Sequence, residues 1–152
     1  MLRPGDLVSL VSPASAPAPE WLDAQVALLE SWGLQVAVGA HALDTWAYMA
    51  GTDADRLSYL NQAFRDPNVR AVITTRGGAG AYRIWQGMDF AAIAADPKPL
   101  VGFSDITYLH LPLWEQCRLA TIHGSLGTPR SQECTRTLLM TTDPVTVVTD
   151  PT

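Results

Sequence analysis

Pro99-Leu100-Val101-Gly102-Phe103-Ser104-Asp105-Ile106-Thr107 runs from a short apolar stretch to a glycine, and one residue later to a serine. A segment with helical spacing follows at once, through Ile106, Leu109, Leu113 and Trp114. A strand hands over to a helix through such a tight turn, with Ser104 at the tip above the end of a sheet. The first helical N–H groups then point at the serine. Pro112 lies inside the helix, where a proline costs about 3 kcal/mol and is expected to kink or shorten it.

The chain repeats this alternation on either side of the turn. Leu7-Val8-Ser9-Leu10-Val11 reads as a buried first strand that ends at Ser12-Pro13. A helix over Glu20 to Trp32 carries Leu22, Val26 and Leu29 on one face and stops at Gly33. Gln35 to Val38 is a second strand, and His41 to Gly51 a loop. Thr52 caps a helix with Asp53 and Asp55 in its first turn, a stripe of Leu57, Leu60 and Phe64, and a stop at Asp66-Pro67. Ala71 to Thr75 is a third strand that runs into Arg76-Gly77-Gly78-Ala79-Gly80, where a helix through Tyr82 and Trp85 begins. Leu100 to Phe103 is the fourth strand and Ala120 to Ile122 a fifth, stopped by His123-Gly124. Ser131 to Met140 reads as a helix, and Val145 to Val148 as a last strand or linker. Strand, helix, strand in this order predicts a parallel sheet with helices on its faces.

The 152 residues suit one domain with a real core. A hydrophobic content of 47% with 16% charged residues excludes disorder. The net charge of -5 argues against nucleic acid or an anionic membrane as partner. Cys117 and Cys134 are too few for a disulfide framework and read as reduced thiols. With no targeting segment or membrane span in the sequence, the expected location is the cytoplasm.

Ligands of a parallel sheet gather beyond the carboxyl ends of its strands, where the turns Arg76 to Gly80 and Gly102 to Asp105 both fall. If Ser104 is a nucleophile, the N–H of Asp105 and one from Gly77 or Gly78 make an oxyanion hole, with one donor worth roughly 3 kcal/mol. On spacing alone Ser-Asp before an apolar helix is first a cap, and the glycine cluster equally a phosphate site or a simple turn. It lacks the lysine and hydroxyl of a P-loop. Arg76 either pairs with a neighbouring carboxylate or holds a substrate carboxylate. A nucleophilic serine needs a base. His110 sits too far into the helix and is expected to point away, and His41 has no evident carboxylate partner. His123 is on the correct edge of the sheet, but a strand-end histidine bonded to backbone is the simpler reading. No complete triad can be assembled.

Arg3-Pro4-Gly5-Asp6, Ser12-Pro13, Ala50-Gly51-Thr52-Asp53 with Arg56 and Leu57, Ala71 to Gly80, Gly102 to Thr107 and His123-Gly124 stand in the order found in one family. Over some four-fifths of its length the chain resembles the amino-terminal half of the LD-carboxypeptidase family. That family's serine peptidases include murein tetrapeptide carboxypeptidases and microcin-immunity enzymes. The resemblance implies a three-layer α/β fold, a mostly parallel sheet flanked by helices, Rossmann or flavodoxin-like and class I amidotransferase-like. It implies a nucleophile-bearing domain over residues 1–142 and, over 143–152, the start of a linker to a carboxyl-terminal domain. By the same resemblance Ser104 is the nucleophile, Asp105 and Gly78 are the oxyanion donors, and Arg76, Gly77 and Ala79 contact substrate. The glutamate and histidine of the triad come from the other domain, and no metal or cofactor takes part. The expected substrate is an L,D amide in a murein peptide, with a non-catalytic muropeptide-binding domain or a microcin-type amide hydrolase as alternatives. The implied partners are the peptide, the carboxyl-terminal domain and a second copy in a homodimer. The chain departs from the family at Ala79, where tyrosine is usual, at Ser125, where proline is common, and at Pro112.

Overall fold

A computed structural model describes residues 1–143. The strand or linker expected at 145–148 lies outside them. Five strands, β1 (Leu7–Val11), β2 (Gln35–Val38), β3 (Val69–Thr74), β4 (Leu100–Gly102) and β5 (Ile122–His123), form one sheet in the order β2-β1-β3-β4-β5. Every neighbouring pair is parallel, so the sheet formed by the described residues is parallel throughout. Short apolar strands of this kind need cover on both faces, and two helical layers supply it.

The period of two along each strand decides which layer each side chain meets. Val8, Leu10, Ala71, Ile73 and Val101 pack under α1 (Pro19–Ser31) and α5 (Pro129–Met140), against Leu22, Leu29 and Leu139. Val11, Val72 and Leu100 face α2 (Asp53–Arg65), α3 (Phe90–Ala95) and α4 (Thr107–Cys117), against Leu60, Phe64, Ile93, Leu109 and Leu113. Thr52 caps α2 in a capping box with Asp55, as its sequence predicts, and Thr128 caps α5 likewise with Ser131. Among the described residues no helix is long and apolar enough to cross a membrane.

Several expectations need correcting. The helix predicted through Tyr82 and Trp85 is two 3₁₀ turns, Ala81–Arg83 and Trp85–Gly87, and α3 follows them. Gly87 lies so close to Leu57 that a Cβ there would stand 2.3 Å from Leu57 Cδ2, a packing that brings this segment against α2. Pro112 does not shorten its helix: α4 continues to Cys117. Trp114, read as part of the apolar stripe, is 54% exposed, with the Arg118 guanidinium 5.6 Å from its ring centroid. On α1 the buried stripe is Leu22, Gln25 and Leu29, and Val26 is only half-buried.

The order of the strands reverses direction between β1 and β3. From β1 the chain crosses to α1 on one face, and from β3 it crosses to α3 on the other. Brought together at the carboxyl ends are the Ser12–Ser15 turn, the Arg76–Gly80 turn and the Ser104 turn, which is where a sheet of this topology opens a crevice.

Candidate active site

Ser104 stands at the end of β4 with φ +60, the left-handed region that side-chain-bearing residues seldom enter. For a serine this conformation costs on the order of 1–2 kcal/mol, so the surrounding structure has to impose it. Gly102 is part of what imposes it. A Cβ on Gly102 would meet Thr74 Oγ1 at 2.5 Å and Ile106 Cγ2 at 2.6 Å. The Gly102 carbonyl accepts from His110 Nε2 at 3.0 Å and from the Gly124 N–H at 3.0 Å, which pins the strand end. Ser104 is exposed and opens a 3₁₀ turn to Ile106, and no side-chain cap is made on that turn or on α4. Helix capping therefore does not account for the serine.

The glycine turn is held from three sides. Ser15 donates its N–H to Gly77 O at 3.3 Å and accepts from the Ala79 N–H at 3.2 Å. Arg56, only 2% exposed, donates through Nη1 to Pro13 O at 2.6 Å and to Gly80 O at 2.9 Å, and through Nη2 to Met49 Sδ and to Asp53. Burial lowers the Arg56 pKa, and the Asp53 carboxylate opposes that shift. Asp105 accepts the Ala81 N–H at 2.8 Å, which ties the serine turn to the end of the glycine turn.

Two contacts explain why these positions are glycine. A Cβ on Gly77 would stand 2.9 Å from Ser104 Cβ, and one on Gly78 (φ +114) 2.3 Å from Ser15 Oγ. Gly77 thus packs directly on Ser104. The N–H groups of Gly78 and Asp105 donate to no other described residue.

Arg76 has no carboxylate within ion-pair distance among the described residues, and its one contact is a long 3.5 Å bond from Nη1 to Ala16 O. It lines an open cavity of about 470 Å³ together with Glu20, Trp21, Gln25, Thr74 and Phe103. Ala79 spends its N–H on Ser15.

The histidines divide differently from expectation. His110 is buried and reaches back to the Gly102 carbonyl, and burial holds its pKa below the usual histidine range. His123 is exposed, with its ring centroid 5.9 Å from that of His110, and it makes no side-chain bond to backbone among the described residues, contrary to the simpler reading. His41 does have carboxylate partners: Nδ1 lies 2.6 Å from Asp44 Oδ2, and Nε2 3.8 Å from Asp55 Oδ1. That group joins the loop before α2 to the first turn of α2, and the His41 ring meets Tyr59 edge-on. Among the described residues no histidine or carboxylate hydrogen-bonds Ser104.

Two residues of this region escaped the sequence reading of the site. Arg56 occurs there only within a motif, and Gln25 not at all. Both left a signal, because each is a polar residue at a buried helical spacing: Arg56 four before Leu60, and Gln25 between Leu22 and Leu29.

Comparison with known proteins bears on the whole arrangement. A family profile described as the LD-carboxypeptidase N-terminal domain matches residues 8–124. A Bacillus subtilis protein named "probable murein peptide carboxypeptidase" is 42% identical over 125 residues, covering 82% of this chain and 39% of the relative. The murein tetrapeptide carboxypeptidase of Pseudomonas aeruginosa is 40% identical over 122 residues, covering 80% of this chain and 39% of the relative. The crystal structure of an MccF-like protein from Bacillus anthracis superposes with a TM-score of 0.85 at 27% identity, over 92% of this chain and 46% of that one. The chain spans about two-fifths to half the length of these proteins.

Proposed function

Because the chain belongs to the LD-carboxypeptidase family, we propose that it is the nucleophile-bearing half of a serine carboxypeptidase acting on an L,D amide bond in murein peptides. The observation that carries this is the Ser104 turn, a strained, exposed serine packed against Gly77, with N–H groups unpartnered among the described residues on the residue after each, Gly78 and Asp105. Ser104 Oγ attacks the amide carbonyl carbon, and its proton passes to a histidine that a glutamate orients. Both belong to the carboxyl-terminal half. The oxyanion that forms accepts from the Gly78 and Asp105 N–H groups, whose preorganisation lowers the barrier. The C–N bond then breaks, the amine leaves with the proton from the histidine, and water hydrolyses the acyl-serine. Arg76 holds the substrate's terminal carboxylate, and Gly77 and Ala79 line its path. The reaction takes place in the cytoplasm, in a homodimer of the two-domain protein, and needs no metal.

The second reading, a microcin-immunity type of amide hydrolase, is favoured by the likeness to the MccF-like structure. The murein carboxypeptidase relatives stand higher in sequence identity, at 42% and 40% against 27%, and that supports the first.

A fluorophosphonate probe tests the reading on the chain supplemented with the carboxyl-terminal half of the Pseudomonas aeruginosa relative. Labelling at Ser104, lost in Ser104→Ala, is expected together with release of the terminal amino acid from a murein tetrapeptide. Turnover that survives Ser104→Ala overturns the assignment.

A further inference from the structure

We propose that the cavity beside the Ser104 turn binds an amino-acid zwitterion, with Arg76 taking the carboxylate and Glu20 the ammonium group. The cavity holds about 470 Å³ and opens beyond the carboxyl ends of β3 and β4, between the start of α1 and the Phe103 ring. That volume is within the usual range for a small-molecule site. Phe103 is the residue before Ser104, so a molecule seated here lies next to the serine turn.

Three features select the ligand class. The first is charge. Glu20 and Arg76 line one cavity, and neither has an ion-pair partner among the described residues. A ligand carrying one charge of each sign answers both.

The second is unmet hydrogen bonding. Gln25 is 3% exposed, and its Nε2 donates to Thr75 O at 2.7 Å, which sets the orientation of the amide. Among the described residues its Oε1 is buried without a donor, and Thr74 Oγ1 on the same wall is also unpartnered. Buried acceptors without donors are costly, and an ammonium group has a second N–H to give Gln25 after the first goes to Glu20. The third is the apolar wall. Trp21, fixed by its Nε1 bond to Thr75 O at 3.3 Å, lines the cavity with Phe103 and can cover a small side chain.

The proposal rests on the carboxypeptidase reading only for the source of the ligand. While the amide is intact its nitrogen is neutral. When the C–N bond breaks the nitrogen leaves as a neutral amine with the proton from the histidine, and a second proton from solvent makes the released amino acid the zwitterion that Glu20 and Arg76 fit. The cavity is then a product site.

Calorimetric titration of the 152-residue chain tests this without turnover, with D- and L-alanine, N-acetyl-D-alanine and D-alaninamide as probes. Alanine in at least one hand should bind saturably. The acetylated and amidated forms, each lacking one charge, should bind at least about tenfold more weakly, as expected for loss of a charge-assisted bond. Glu20→Gln should erase the preference over N-acetyl-alanine, and Arg76→Gln the preference over alaninamide. Equal binding of all probes, no saturable binding of either alanine, or preferences unchanged in both variants overturns the proposal. Failure here leaves fluorophosphonate labelling of Ser104 intact, and failure of labelling leaves the binding result intact.

Discussion

The two sides of the β3–β4 end differ in how completely their polar groups are used. On the α2 side the Gly77–Gly80 turn is bound by Ser15 and Arg56, the Asp105 carboxylate holds Ala81 just after it, and close packing fills every space a Cβ would need. On the α1 side an open cavity leaves the Gln25 and Thr74 oxygens unpartnered and two charges unpaired among the described residues. A turn that presents backbone donors to a short-lived oxyanion must be rigid before the reaction, whereas a pocket must keep its polar capacity unspent until a ligand arrives. The rigid side should respond to mutation in stability, and the open side in binding.

The strongest way to break this contrast is Arg56→Met. Removing a buried guanidinium leaves the Pro13 and Gly80 carbonyls without their donor, and each buried acceptor left unmet costs about 1–3 kcal/mol. Urea unfolding should show that loss, while Arg76→Gln on the open side stays within about 0.5 kcal/mol of the parent. Equal effects of the two would dissolve the comparison.

Gly78→Ala comes next. It places a methyl group on Ser15 at a positive φ and should cost on the order of 1–3 kcal/mol. Gly127→Ala beside the cavity, where the nearest atom would be 3.5 Å away, should be close to neutral in the same assay.

Smaller still is the strain at Ser104. Relief of the left-handed conformation by Ser104→Gly should raise stability by up to about 1 kcal/mol after the extra entropy of glycine is offset, whereas Ser104→Ala keeps the strain and stays neutral. A thermal melt in which alanine matches or exceeds glycine would show that Ser104 holds no strain.

The smallest effect expected is a slope in pH. Burial depresses the His110 pKa in the folded chain, so below the ordinary histidine value near 6.5 the unfolded chain binds the extra proton first. The contribution is complete above that pH and is lost as pH falls toward the folded pKa. The depressed pKa values of Asp53, Asp55, Asp89 and Asp96 act in a separate window, with stability lost only as pH falls below 3.8. His110→Gln should flatten the urea midpoint between pH 7 and 5 and leave the lower limb unchanged.

Much of this architecture was legible in the residues. β1 and β2 have the bounds their apolar runs predict, and Thr52 caps α2 with Asp53 and Asp55 in its first turn, as expected. Such elements are set by neighbours in the chain, through period, caps and glycine stops. The segment after Gly80 is ambiguous in sequence because side chains three apart, as Tyr82 and Trp85 are, suit a 3₁₀ turn as well as an α-helix. Only its fit against Leu57 and α4 decides between them.

The same division holds for the site. The sequence by itself determined that a serine stands at a strand-to-helix turn with a glycine cluster at the end of another strand, because glycine spacing and the order of elements are local properties. Only the tertiary structure decided that Ser104 is no helix cap, that the buried Arg56 clamps two loops, and that His41 meets Asp44 and Asp55. It also decided that Gln25 lines a cavity with Arg76, a third of the chain away in sequence. These outcomes depend on which layer a helix joins and how closely loops from different strands approach. The parallel sheet sets both at once, and no window of sequence contains them.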